Sequence, residues 1–305
     1  MKFNLKSLIS FFFILFICLF VYRCKETVNK NVTGFKITDD LKNEISFDAY
    51  PKKVVSLAPN ITETIYLLNA DSLLTGVTKY CNYPSQAQSK TIVGGLLDPN
   101  YEIIASLNPD LIIMTVEGNS KLSYESLKKS NYKIFISNPR NLDGIIKMIN
   151  DIGKILNKEK NAINILDKLN KSRDSIKTIN NIKVKNDCII LISLTPLITV
   201  NSSTYINEII ELSGFKNIYA EEKLPYPQIN REDLVLKNPE YIILPVSSDS
   251  NIKNKSIFFV NDNLSGLDAV RKRKIIFVDE DIVMRPGPRI FEAIYGIINQ
   301  FARLQ

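Results

Sequence analysis

Residues 100–114, NYEIIASLNPDLIIM, recur 130 positions later as NREDLVLKNPEYIIL at residues 230–244. The shift superimposes Asn100 on Asn230, Glu102 on Glu232, Asn108 on Asn238, Pro109 on Pro239, Asp110 on Glu240, and Ile112 and Ile113 on Ile242 and Ile243. Each copy begins with Asn, a good helix N-cap. Each then stops at Asn-Pro, because the residue before proline avoids the α region, and enters a β-branched apolar run. The unit is helix, tight turn, buried strand, and an ungapped recurrence of this length implies a duplicated lobe.

Other segments echo in the same order. VVSLAP at 54–59 resembles LISLTP at 191–196, each leading into a helix, around 62–68 and 205–212. KIFI at 133–136 is answered by KIIFV at 274–278. Each half reads strand, helix, helix, strand, helix, strand, the alternation of a parallel sheet covered on both faces. Between the halves, Leu142, Ile145, Ile146, Ile149 and Ile152 form one apolar stripe, and Gly153 to Asn157 loosen it. Ala162, Ile165, Leu166, Leu169 and Ile176 form a second stripe. Residues 158–178 would make a helix roughly 30 Å long, enough to cross between lobes or to serve as a core helix of the first. The expected fold is therefore α/β: two similar Rossmann-like lobes, each with a mostly parallel central sheet, joined by one long interdomain helix. A single helical connection predicts lobes that rock by small angles and do not clap shut.

The organisation follows as a signal peptide or N-terminal anchor at 1–23, a tether and entry segment at 24–51, an N-terminal lobe at 52–157, a linking helix at 158–180 and a C-terminal lobe at 181–305. Lys2 and Lys6 precede an apolar run at 8–21, closed by Arg23 and Cys24. That run is short for a membrane span and typical of an export signal core. Cys24 before a polar stretch suggests lipid attachment and a membrane tether, although Arg23 stands where a lipoprotein signal carries a small residue. An uncleaved anchor and a fully released protein are the alternatives. Without residues 1–23 the net charge falls from +7 to +4, too mild and scattered for nucleic acid. Cys81 and Cys188 fall in different lobes and read as unpaired thiols.

The chain has no histidine. Ser-His-Asp and Cys-His catalysis and His-based metal sites are thereby excluded, and no Gly-x-Ser-x-Gly, phosphate-binding Gly-rich loop or Cys-x-x-Cys is present. No enzyme and no cofactor is expected. Loops after the strands carry the chemistry that remains. They are the segment containing Tyr80, Cys81, Asn82 and Tyr83; the LPYPQ segment around Tyr226; and Asp281 and Arg285 ahead of PGPR at 286–289. Tyrosine offers a flat apolar face and a polar tip to a large amphipathic ligand. Asp281 and Arg285, four apart, could equally form a plain ion pair. Glu102 and Glu232 suit helix N-termini, and as a symmetric pair of negative charges they also suit a pseudo-symmetric partner with two basic pockets.

Together these segments resemble the solute-binding proteins of ABC importers for cobalamin, haem and iron-siderophores. The resemblance runs from about Lys52 to the end and is carried by VVSLAP with Thr62 and Glu63, Gly76-Val77 leading to Tyr80 and Tyr83-Pro84, the first repeat, and RPGPR at 285–289. The chain is most similar to the cobalamin binders. The resemblance implies capture of a corrinoid by Tyr80, Tyr226, Asp281 and Arg285, and delivery without chemistry to a permease dimer with its ATPase. It places permease docking on Glu102 and Glu232, in a monomer. Where cobalamin binders carry tryptophan, residues 94–97 and 115–116 are aliphatic or small, and the chain has no tryptophan. A ferric siderophore held by Lys79, Arg285 and Arg289, or haem on a Tyr80 tyrosinate with Arg285 or Arg289 on its propionates, are the competing ligands. An exported adhesion or scaffolding module is the alternative of another class.

Overall fold

The computed structural model describes residues 34–179, 186–247 and 264–304. A hairpin of β1 (Phe35–Thr38) and β2 (Glu44–Phe47) opens the described chain, so part of the entry segment is folded against the first lobe. The first lobe is built on β3 (Val54–Ser56), β4 (Leu74–Val77), β5 (Thr91–Ile92), β6 (Leu111–Thr115) and β7 (Ile134–Ser137), all parallel, in the order β5-β4-β3-β6-β7. The second contains β8 (Asn186–Ile190), a two-stranded ribbon of β9 (Ser193–Leu194) and β10 (Leu197–Ile198), β11 (Phe215–Asn217), β12 (Tyr241–Val246) and β13 (Ile275–Asp279). Its sheet is parallel, in the order β11-β8-β12-β13, the first lobe's order without the outer β5.

The repeated stretch behaves identically in both lobes. Asn100 Oδ1 accepts from the Ile103 N–H at 3.0 Å, and Asn230 Oδ1 accepts from the Asp233 N–H at 2.7 Å. The helices Tyr101–Leu107 and Arg231–Lys237 both end at an asparagine in the left-handed region, Asn108 with φ 47° and Asn238 with φ 38°. Proline at the next position closes the α region to that asparagine, and asparagine is among the few residues that tolerate the left-handed one. The strand that follows alternates between two layers. Leu111 and Ile113 enter one core cluster while Ile112 and Met114 enter another; Tyr241 and Ile243 divide from Ile242 and Leu244 in the same way. Both sheets are therefore buried on both faces, as parallel sheets must be.

One of those clusters is common to both lobes. Ile145, Ile149 and Ile152 of the Leu142–Ile155 helix, Leu169 and Ile176 of the Glu159–Ile179 helix, and Ile209 and Ile294 beyond it belong to a single buried group. The Glu159–Ile179 helix packs on the Leu142–Ile155 helix of the first lobe and on the Ile290–Leu304 helix of the second. Its buried residues Ala162, Leu169 and Ile176 recur every two turns, so one stripe serves both contacts. Gly153 does not loosen its helix; a Cβ there would lie 2.6 Å from the Ala162 Cβ, so the glycine lets the two helices close.

Two sequence expectations need correction. Val54 and Cys188 occupy equivalent places, facing Leu111 and Tyr241, so the echo of VVSLAP starts three residues before Leu191. Residues 193–198 instead form the β9–β10 ribbon. A run of apolar residues fixes a strand's existence but not its register, which pairing with β12 decides. The half-lobe pattern also lacked β4 and β11, strands of only four and three residues interrupted by Gly76 and Lys216.

Candidate functional site

The strands of the first sheet end together, and the loops beyond Ala58, Thr115 and Ser137 enclose one side of a cavity of about 310 Å³. Asp281, Met284, Arg285 and Pro286, beyond the end of β13, enclose the other. The cavity thus lies between the lobes at the carboxyl ends of the strands, the usual ligand position in open α/β sheets. Asn119 ties its first-lobe loops together. Its amide donates to the carbonyls of Leu57 and Leu96 at 2.9 and 2.8 Å, and its oxygen accepts the Thr115 N–H at 2.9 Å.

Of the expected ligand residues, Tyr80, Asp281 and Arg285 line this cavity. Tyr80 stands out because its neighbour Cys81 is driven in. The Cys81 sulfur is buried within 3.2 Å of the Thr62 and Thr78 hydroxyls, and burial pushes its pKa up against the lowering by those contacts. The flanking Tyr80 and Tyr83 are left exposed. Cys188 is buried in the other lobe, and both thiols are unpaired.

Tyr226 is presented from an extended segment between two prolines, which have no N–H but keep an acceptor. Pro227 and Pro225 carbonyls accept from Thr199 and Asn201 N–H groups at 3.1 and 2.9 Å, laying the segment beside β10. The Tyr226 hydroxyl crosses to the first lobe and donates to the Glu117 carboxylate, 3.1 Å from either oxygen. Burial and the adjacent Glu117 charge raise its pKa, so it stays a phenol. Arg140 pairs with the same carboxylate.

Arg285 does not present a free charge to the cavity. Its guanidinium donates to Glu63 Oε1 at 3.0 Å, Asn82 Oδ1 at 2.8 Å and the Tyr80 carbonyl at 3.3 Å, and it pairs with Asp281 at 2.7 Å. Arg289 donates through Nε and Nη2 to both Glu63 oxygens at 2.8 and 2.7 Å and lies 3.9 Å from the Tyr83 ring centroid. Desolvation would lower the Arg289 pKa, yet the Glu63 hydrogen bonds and charge outweigh it and raise it. Glu63, 4% exposed, is a first-lobe carboxylate fastening two second-lobe arginines. Gly287 permits the approach; a Cβ there would lie 3.2 Å from the Asn60 Cβ, whose amide already donates to the Pro286 carbonyl at 3.1 Å.

Sequence reasoning noted Glu63 only within a motif and missed Glu117, Arg140 and Asn119 altogether. Glu63, Glu117 and Arg140 carry no local signal because each acts on a residue distant in sequence, and Asn119 reaches Leu57 and Leu96 as well as the nearby Thr115. Glu102 and Glu232 lie in the first turns of the two repeated helices, exposed and without an ion pair among the described residues. Cys24 and the apolar run at 8–21 lie outside the described residues. No cluster of acidic, cysteine or histidine side chains able to hold a metal ion occurs among the described residues, and no described helix is long and apolar enough to cross a membrane.

Two α/β lobes, one long helix packed on both and a cavity between them at the carboxyl ends of the strands give the architecture of a two-lobed binding protein. Residues 54–282 match the periplasmic binding protein family, and the chain belongs to that family. It is thus a non-enzymatic, exported solute-binding component that hands a ligand to an ABC permease. The chain is 26% identical over 256 residues to the vitamin B12-binding protein of Yersinia pestis strain Pestoides F, covering 83% of this chain and 87% of that one. Its fold matches the crystal structure of the periplasmic vitamin B12 binding protein of Vibrio cholerae with a TM-score of 0.74 and 25% identity, over 84% of this chain and 98% of that one. A periplasmic haem binding protein from Pseudomonas aeruginosa shares the fold, with a TM-score of 0.73 at 17% identity over 82% and 92% of the two chains.

Proposed function

We propose that the protein captures a corrinoid in the interlobe cleft through Tyr80, Tyr226, Asp281 and Arg285 and delivers it, chemically unchanged, to its permease through Glu102 and Glu232. The observation that carries the ligand class is the commitment of the cleft arginines. Arg285 and Arg289, with side chains 11% and 13% exposed, are both held by Glu63. Propionates or an anionic iron chelate would have to take them from a buried carboxylate, and breaking such a pair costs about 3–5 kcal/mol. A corrin ring fringed with primary amides needs no such exchange, and similarity to vitamin B12 binders points the same way. A corrinoid exceeds the cavity in size, so its entry requires the Tyr226–Glu117 contact to part. Lipid attachment at Cys24 would hold the protein at the membrane beside the permease.

The test is the visible spectrum of the full chain in lipid nanodiscs, desalted after incubation with cyanocobalamin, haemin or a ferric siderophore, with empty nanodiscs as blank. Retention of one equivalent of cyanocobalamin, lost in Tyr80→Ala or Asp281→Ala, is expected. Retention of haemin or the siderophore alone would transfer the same role to that ligand. Retention of nothing coloured would sink the corrinoid reading and favour the adhesion alternative.

A further inference from the structure

We propose that Glu117 sets the charge class of ligand that the cleft admits, favouring a neutral ligand fringed with N–H donors over one that carries carboxylates. The proposal deepens the preceding reading and rests on it for the location of the ligand. Glu117 and Asp281 are the acidic groups among the described cavity-lining residues, and Arg285 is the basic one. Asp281 is neutralised where it stands, by Arg285 at 2.7 Å and by the Asn82 amide at 2.8 Å. Glu117 differs. Its counter-charge, Arg140, does not line the cavity, so the positive partner approaches from outside while Glu117 itself borders the ligand space.

One further group in the lining, Asn138, is compatible with the same complement. Ser137 and Asn138 line the cavity, and their buried Oγ and Oδ1 atoms have no hydrogen-bond partner among the described residues. An acceptor such as Asn138 Oδ1 is costly without a donor, and a ligand N–H that reached it would relieve it, whereas the Ser137 hydroxyl can donate or accept and takes no side. Glu117 already accepts the Tyr226 hydroxyl and can accept an amide N–H once that contact parts. A ligand carboxylate entering the same space meets a like charge, and it recruits Arg140 only by removing it from Glu117. Glu117→Gln preserves shape and an acceptor for Tyr226, removes the repulsion and releases Arg140.

The experiment measures how Glu117→Gln changes the preference between matched ligands by equilibrium dialysis of the full chain in nanodiscs at low salt. The first pair is cyanocobalamin and its monocarboxylic acid, in which one peripheral amide is hydrolysed; the second is haemin dimethyl ester and haemin. In the pair that binds, the variant is expected to shift toward the carboxylate form by about three- to tenfold relative to wild type, and added salt should shrink the shift. An unchanged preference overturns the inference even if the corrinoid binds. A shift seen in the haem pair alone sustains the charge rule and refutes the corrinoid reading. Binding of neither pair overturns both.

Discussion

Removing the Glu63 carboxylate should loosen the attachment of one lobe to the other. Its two oxygens receive three N–H donors, from Arg285 at 3.0 Å and from Arg289 at 2.8 and 2.7 Å, all from the opposite lobe. Deleting one member of a buried ion pair costs about 3–5 kcal/mol, since the remaining charges stay desolvated without a partner. Each kcal/mol moves the melting temperature of a domain of this size by roughly 2–4 °C, so Glu63→Ala should melt on the order of 10 °C lower. Tyrosine near-UV circular dichroism is a suitable probe, because the chain has 13 tyrosines and no tryptophan. The companion variant is Glu63→Leu with Arg285→Met and Arg289→Met. Replacing a whole buried ionic cluster by apolar groups of similar volume is often neutral, so it should recover most of the loss. A Glu63→Ala protein within about 3 °C of wild type, or a triple variant as unstable as the single one, would refute the view that unpaired buried charge dominates this contact.

Glu102→Ala combined with Glu232→Ala should abolish uptake in whole cells while leaving the dissociation constant for the ligand intact; undiminished transport would remove the docking role. Tyr226→Ala should weaken ligand binding by about 1–3 kcal/mol if the ring stacks on a flat macrocycle, whereas an unaltered dissociation constant measured by dialysis would mean that it only packs. Glu208, whose carboxylate accepts the Leu142 N–H at 2.6 Å, has its pKa raised above 4.5 by burial, partly offset by that hydrogen bond. The folded state therefore holds this proton more tightly than the unfolded chain. Its contribution to stability should fall as pH rises from 4.5 through the raised folded value. Urea unfolding at a series of pH values should show this slope diminished in Glu208→Gln, and an equal slope in the variant would exclude Glu208 as its source.

Local physics made much of the architecture readable. Asn caps, Asn-Pro stops and β-branched runs act over four or five residues, so the repeated units declared both lobes and the strands β6 and β12. The stripe at Ala162, Leu169 and Ile176 likewise declared the helix between them. The Tyr loop, the Pro-Tyr-Pro segment and the Asp281–Arg285 spacing were visible as chemistry waiting for a partner.

What the sequence could not express was who pairs with whom. The register of β8 depended on its pairing with β12, and β4 and β11 were too short to show a period of their own. Arg285 lines the cleft with its charge already shared, because Glu63, 222 positions away, reaches it. Glu117 became a cleft residue only because Tyr226, 109 positions away, meets it across the lobes. Caps, turns and apolar stripes are set by neighbours along the chain, so composition and spacing determine them. Charge pairing across a cleft is set by neighbours in space, and only the tertiary structure decides which charges are already satisfied and which remain for a ligand.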